Sequence, residues 1–279
     1  SKTLRSVAGY DLTRFFVGSE GTLGVLTEIT LKLLPLPAKV GTVIAYFKDI
    51  DSALNTTDSI IIKNHLHPRS LEFVDKACID AVRGSAGKRI PEEAEAFLLI
   101  DVDGNEMNVA NDISRIDALC SENSALKTSI AKTDDERDAL WDTRKSVSTS
   151  LFKVASMKFN DDFCVPRSKV REVLERVYEL GKTYSIQVAA SGHIGEGHIH
   201  LNVIYNDGKE VDLSVHNLVS QILKEVVSIG GTITSEHGVG DAKAEFLELE
   251  LAPHEIEIMR DLKKMFDPKG IMNPGKNFV

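Results

Sequence analysis

From Pro37 onward the sequence alternates short apolar runs of strand length with stretches of helical length, and that alternation limits the folds open to it. Residues 42–47 are β-branched and aromatic, a strand pattern. Asp51 can cap a helix running to about Lys63. Residues 70–82 read as a strand followed by a helix, or as a helix alone. Phe97, Leu98, Leu99 and Ile100 make a buried strand, residues 109–120 a helix, and a short strand falls near Ser129. Residues 134–152 form a charged helix carrying Trp141; residues 157–165 are a strand, and Pro166 marks the start of the next helix. Strands at 186–190 and 199–205 flank a glycine turn. Helices at 211–229 and 254–266 follow, the last stopped by Asp267-Pro268. This rhythm predicts an α+β fold: an antiparallel, ferredoxin-like sheet with covering helices. Neither an internal sequence repeat nor a low-complexity stretch is visible.

The first 36 residues have another character. Gly18-Ser19-Glu20-Gly21-Thr22-Leu23-Gly24 is a glycine-dense turn, and residues 25–33 then follow mostly a period of two, which predicts a strand. Leu34-Pro35-Leu36-Pro37 ends it, because proline donates no ladder hydrogen bond. One strand and a turn cannot build a core. Residues 1–36 are therefore expected to be the C-terminal remnant of a domain otherwise outside this chain. Residues 37–279 form a second domain, with a tail from about residue 230.

Composition removes several function classes. A formal net charge of -9 repels phosphate backbones, so no nucleic-acid partner is expected. No apolar run approaches the ~18 residues of a membrane span, and the chain is expected to be soluble. Cys78, Cys120 and Cys164 are odd in number and far apart. They read as reduced core thiols in a reducing compartment, cytoplasmic or the mitochondrial matrix. With 6% aromatic residues the core is expected to be aliphatic.

The most informative segment is Ser191-Gly192-His193-Ile194-Gly195-Glu196-Gly197-His198-Ile199-His200-Leu201-Asn202. Ile199, Leu201, Val203 and Tyr205 make one face of a strand; His198, His200 and Asn202 make the other. Two imidazoles and an amide are costly to bury without partners, so this face should line a site. The alternative is histidines hydrogen-bonded in the core or exposed in a turn. His193 and His200 bracket the turn and can converge on one ion. Zinc, iron and manganese all accept neutral imidazole. Two histidines call for a carboxylate, and Ser235-Glu236-His237-Gly238-Val239-Gly240 offers Glu236. Adjacent side chains of extended backbone point to opposite sides, so a Glu236 turned to a metal leaves His237 directed elsewhere.

These segments stand in order with Gly9-Tyr10-Asp11-Leu12, with the glycine turn, and with Phe266-Asp267-Pro268-Lys269-Gly270-Ile271-Met272-Asn273-Pro274-Gly275-Lys276. Together they resemble the FAD-linked oxidase family of the vanillyl-alcohol-oxidase flavoprotein superfamily, over nearly the whole chain. The resemblance implies the C-terminal domain of a flavin enzyme that oxidises a D-2-hydroxyacid such as D-lactate, glycolate or D-2-hydroxyglutarate. It implies His193, His200 and Glu236 as ligands of a divalent metal and His237 as the catalytic base. Arg144 and Lys158 match positions that hold the substrate carboxylate, and Asn202 matches a substrate or metal-shell contact. Gly18, Ser19, Glu20, Gly21 and Thr22 match a flavin-contacting loop, and Asn273 a tail residue that approaches the flavin. The family often has Gly-Asp-Gly-Asn where this chain has Gly195-Glu196-Gly197-His198, so His198 is an added ligand or substrate contact. FAD itself is expected to be held mostly by an N-terminal domain not included here. An electron-acceptor protein and a homodimer are further partners to consider.

The residue types suit that chemistry. A metal bound to hydroxyl and carboxylate lowers the hydroxyl pKa, a histidine accepts the proton, and the hydride goes to flavin. Arginine grips a carboxylate with a planar fork and lysine adds a point charge. Two other readings use the same residues: a stand-alone metal hydrolase or lyase, and a non-catalytic module that kept the fold.

Overall fold

The computed structural model describes residue 3 and residues 7–86, 89–206 and 208–277. The chain divides into two compact units: Leu36–Thr232, and Ser1–Pro35 together with Ile233–Val279.

The strands are β1 (Lys39–Phe47), β2 (Ser70–Asp75), β3 (Ala96–Gly104), β4 (Ala125–Ile130), β5 (Met157–Cys164), β6 (Gln187–His193) and β7 (His198–Tyr205). The helices are α1 (Thr13–Phe16), α2 (Ile50–Asp58), α3 (Lys76–Ala86), α4 (Glu106–Glu122) and α5 (Asp134–Lys145). They continue with α6 (Val147–Leu151), α7 (Val170–Tyr184), α8 (Lys209–Ser228), α9 (Leu247–Glu250) and α10 (Pro253–Phe266).

In the larger unit the seven strands form one antiparallel sheet in the order β4-β1-β3-β2-β6-β7-β5. The expected ferredoxin-like arrangement occurs in it twice. The run from β1 to β4 gives the order 4-1-3-2, with α2 and α4 as crossovers. The run β5-α7-β6-β7-α8 repeats it, and an isolated bridge from Cys164 to Thr232 stands for the fourth strand. The halves meet edge to edge through Glu72–His193, Phe73–Gly192 and Val74–Ser191. No sequence repeat announces this, because topology follows from apolar pattern and turn placement, which unrelated residues can supply.

One face of the sheet is covered by α3, α5 and α6. There Cys78, Ile79, Val82, Val147 and Leu151 pack with Ile44, Val74, Phe97, Leu99, Ala189 and Ile204. On the other face Val109 and Ile113 of α4 approach Gly41, and Gly181 of α7 approaches Val188. With both faces covered, β1 and β3 are buried on both sides. The buried core is mainly aliphatic, as the composition suggested, with Phe47, Phe73, Phe97 and Phe163 among its largest fully buried side chains.

Some boundaries differ from expectation for local reasons. Asp49, not Asp51, caps α2: Asp49 is extended and accepts from Ser52 N at 2.7 Å, whereas Asp51 already lies in the first turn. The α2 helix widens into a π-turn at Ser59–Lys63. The charged helix expected over 134–152 is interrupted at Ser146 and becomes α5 and α6.

In the smaller unit residues 25–33 form no strand, against expectation, and Val25, Leu26, Ile29, Leu31 and Leu33 are exposed. A strand is held by its ladder, and none of the sheet pairings includes these residues. Helix α10 anchors the unit. Lys263 Nζ donates to Thr22 O and Met272 O, both at 2.7 Å, and pairs with Asp267, while Phe16 stacks edge-on against Phe266. No helix among the described residues is long and apolar enough to cross a membrane.

Candidate functional site

The β6–β7 hairpin carries the histidines. Its turn closes with Glu196 N on His193 O (2.9 Å) and Gly197 N on Ile194 O (3.2 Å). Gly197 has φ +83, and a Cβ there would lie 2.0 Å from Val165 O, so only glycine fits. The turn brings His193 back beside β7. The rings of His193, His198 and His200 lie 4.4–5.2 Å apart centroid to centroid, and one ligand-type nitrogen from each lies within 4.8 Å of the others. His198 is buried, while the His193 side chain is 38% exposed. Three imidazoles so close, on the turn of one hairpin, fit a divalent ion of the zinc, iron or manganese class.

The strand register extends this polar face. Asp162 stands opposite His200, and Asn160 opposite Asn202, across β5 and β7. Asp162 is fully buried, 3.7 Å from His198 Nε2. Asn202 is 2% exposed and its Oδ1 has no hydrogen-bond partner among the described residues. A buried acceptor without a donor costs about 1–3 kcal/mol, so it marks where a ligand hydroxyl or a water belongs. Lys158 lies four residues from Asp162 on the same strand face, roughly 13 Å along β5. Its Nζ donates to Ser148 O (3.1 Å) and Ser148 Oγ (2.6 Å) and sits 4.8 Å from the Phe152 ring centroid. Burial lowers its pKa from the ordinary lysine value.

Helix α5 is pinned across this face by two side chains one turn apart. Trp141 Nε1 donates to Asp101 Oδ2 at 3.1 Å, and Arg144 reaches Glu72 Oε2 through Nε and Nη2, both at 3.0 Å. The other oxygen of Glu72 lies 2.6 Å from His193 Nδ1. Glu72 is buried. The sequence reading missed it, although one signal was there: an acid inside the apolar run Leu71-Glu72-Phe73-Val74. A cavity of 230 Å³ adjoins Glu72 and His193, rimmed by His67, Arg69 and Arg167.

The remaining expected residues belong to the smaller unit. There Glu20, not a backbone amide, is the organising group of the glycine turn. Its carboxylate accepts from Val239 N and Gly240 N, both at 2.8 Å, and its carbonyl from Asn273 Nδ2. Glu20 thus ties the turn to both the Ser235–Gly240 loop and the tail. Gly238 (φ +78) must lack a side chain, since a Cβ would meet Glu20 Oε1 at 2.7 Å. Ser19 Oγ donates to Phe16 O (2.8 Å) and Thr22 Oγ1 to Ser19 O (2.7 Å), which stiffens the turn around Gly18 and Gly21. Glu236 and His237 do not diverge as extended neighbours would. The loop bends there, and Glu236 Oε1 lies 3.6 Å from His237 Nε2.

The family model described as FAD linked oxidases, C-terminal domain, matches residues 36–277. The chain is 37% identical over 279 residues to the glycolate oxidase subunit GlcD of Bacillus subtilis, covering 100% of this chain and 59% of that one. It is 33% identical over 276 residues to the D-lactate dehydrogenase of Archaeoglobus fulgidus, covering 99% and 60%. The chain therefore spans about three fifths of the length of these relatives. Among solved structures, alkyldihydroxyacetonephosphate synthase aligns with a TM-score of 0.63 at 15% identity, covering 97% of this chain and 50% of that one. P-cresol methylhydroxylase aligns with a TM-score of 0.66 at 11% identity, covering 88% and 54%.

Proposed function

The chain belongs to the FAD-linked oxidases, C-terminal domain family, and on that premise we propose that it is the substrate-binding part of a flavin-dependent dehydrogenase or oxidase of D-2-hydroxyacids. The substrate is of the glycolate, D-lactate or D-2-hydroxyglutarate type and the product is the 2-oxoacid. The observation that carries this reading is the trio of imidazoles on one hairpin, with Arg144 one residue removed through Glu72.

When bound, FAD accepts the hydride and a divalent ion makes the substrate hydroxyl a stronger acid. His193 and His200 would hold the ion, and Glu236 joins them on the strength of the sequence resemblance. His198 offers a further nitrogen to the same ion. Arg144 presents Nη1, which carries no protein bond among the described residues, to the substrate carboxylate. Lys158 adds positive charge on the same strand face. Asn202 Oδ1 accepts from the substrate hydroxyl or from a water. His237 takes the hydroxyl proton, and Glu236, 3.6 Å from its Nε2, steadies the resulting imidazolium. FAD is held mainly by sequence that the relatives carry beyond the matched region, with the Gly18–Thr22 turn and Asn273 at its edge, and an electron-acceptor protein reoxidises it.

The test is anaerobic mixing of the flavin-loaded protein, with its flavin-binding region present, with glycolate, D-lactate and D-2-hydroxyglutarate in turn, following the loss of the oxidised-flavin visible band. Bleaching by at least one is expected; none by any 2-hydroxyacid overturns the reading. His237→Ala should keep ion and flavin but slow the reduction about 10²–10⁴-fold, whereas His200→Ala should lose the ion on dialysis. A His237→Ala protein that bleaches at the parent rate removes that histidine from the role of base.

A further inference from the structure

Glu72 has no part in the chemistry above, yet its carboxylate is engaged by two side chains of the polar face, Arg144 and His193. It lies in β2, and its register partner across the joint between the two halves of the sheet is His193. Its side chain is 3% exposed. Oε2 takes two guanidinium donors from Arg144, and Oε1 lies 2.6 Å from His193 Nδ1. With two guanidinium donors directed at Oε2, the carboxylate turns Oε1 to His193 as an acceptor. The proton between Glu72 and His193 therefore resides on Nδ1. Nε2 is then the ring nitrogen whose lone pair lies in the ring plane, the one a metal binds.

We propose that Glu72 is a positioning residue that fixes the tautomer and ring orientation of His193 for metal binding, and that Arg144 in turn fixes Glu72. This rests on the metal reading given above. A ligating histidine commonly donates its other N–H to such a carboxylate, and loss of that partner weakens metal binding about 10–100-fold. The same contact makes Arg144 common to both functions: one edge of its guanidinium orients the metal ligand through Glu72, and Nη1 remains for the substrate.

The substitution that probes this most sharply is Glu72→Gln. Arg144 holds the amide oxygen, so the amide N–H₂ faces His193 and reverses the demand on Nδ1 from donor to acceptor. Two measurements on the full chain decide the matter. In ion-free protein, above the imidazole titration, nitrogen–proton correlation NMR reads the His193 tautomer directly. The parent should show Nδ1–H and Glu72→Gln should show Nε2–H. Calorimetric titration with Co(II) alone should then show about 10–100-fold weaker binding for Glu72→Gln, with far-ultraviolet circular dichroism unchanged. A parent His193 in the Nε2–H form overturns the inference, as does equal Co(II) affinity in a variant whose tautomer has switched. Should the variant fail to fold, the tautomer of the parent still decides. A parent that binds no Co(II) defeats the metal reading instead, and the tautomer alone then upholds or overturns the role of Glu72 toward His193.

Discussion

At the scale of single residues, environment separates three chemically identical thiols. Burial, with the nearby charge of Asp117, pushes Cys120 up to about 12, and burial with Asp75 beside it pushes Cys78 well above the ordinary thiol range. Cys164, at the end of β5, is only partly buried. Since the thiolate is the reactive form, a thiol reagent at mildly alkaline pH should label Cys164 in the native protein. Cys78 and Cys120 should react only on unfolding. Mass mapping of the labelled peptides checks this, and rapid native labelling of Cys78 contradicts it. The same sensitivity to environment decides which site residues could be read from sequence. His193, His198, His200 and Asn202 were legible because polar groups interrupt an apolar strand next to glycines. Glu72 was not, since one acid in a six-residue strand looks like a solvent-facing position until β2 is known to lie beside β6. The divergence expected of Glu236 and His237 fails for a related reason: it assumed extended backbone, whereas the loop bends over residues 235–237, just before the Val239 and Gly240 amides that Glu20 accepts from.

At the scale of elements, the end of α10 shows how a stop signal becomes an anchor. Asp267 was legible as the point where the helix ends. Its partners were not, because Lys263, Ile271 and Met272 reach it only once the tail has turned back. The Lys263 ammonium and the amides of Met272 and Ile271 hold the Asp267 carboxyl down to about 2. A carboxyl depressed when folded contributes stability above its ordinary value of about 3.9, and that contribution is lost as pH falls through about 2. Amide exchange at Ile271 and Met272 should therefore accelerate across that window in the parent, while Asp267→Asn should exchange fast already at neutral pH. An identical acid step in both proteins would remove Asp267 from this role. The strand expected over 25–33 marks the limit of reading elements singly, since periodicity describes which way side chains alternate but supplies no partner.

At the scale of the whole larger unit, two ferredoxin-like halves share one sheet, and the shared edge predicts that they unfold together. Phe163 is fully buried in one half; Trp141, the single tryptophan, is hydrogen-bonded to Asp101 in the other. Phe163→Ala should cost about 3–5 kcal/mol, and Trp141 emission should report the full loss although the two residues sit in different halves. Denaturation followed by tryptophan fluorescence and by circular dichroism should give coincident midpoints. A fluorescence midpoint left at the parent value would mean that the halves unfold separately. The sequence disclosed the elements of this body and their order but not the duplication, because the second copy preserves only turns and apolar rhythm. The joint also bears on how such a molecule can vary over generations. Glu72 and His193 are separated by 121 positions in the chain, yet each bears on which residue the other can be exchanged for. Over generations a change at one of them alters what the fold can tolerate at the other.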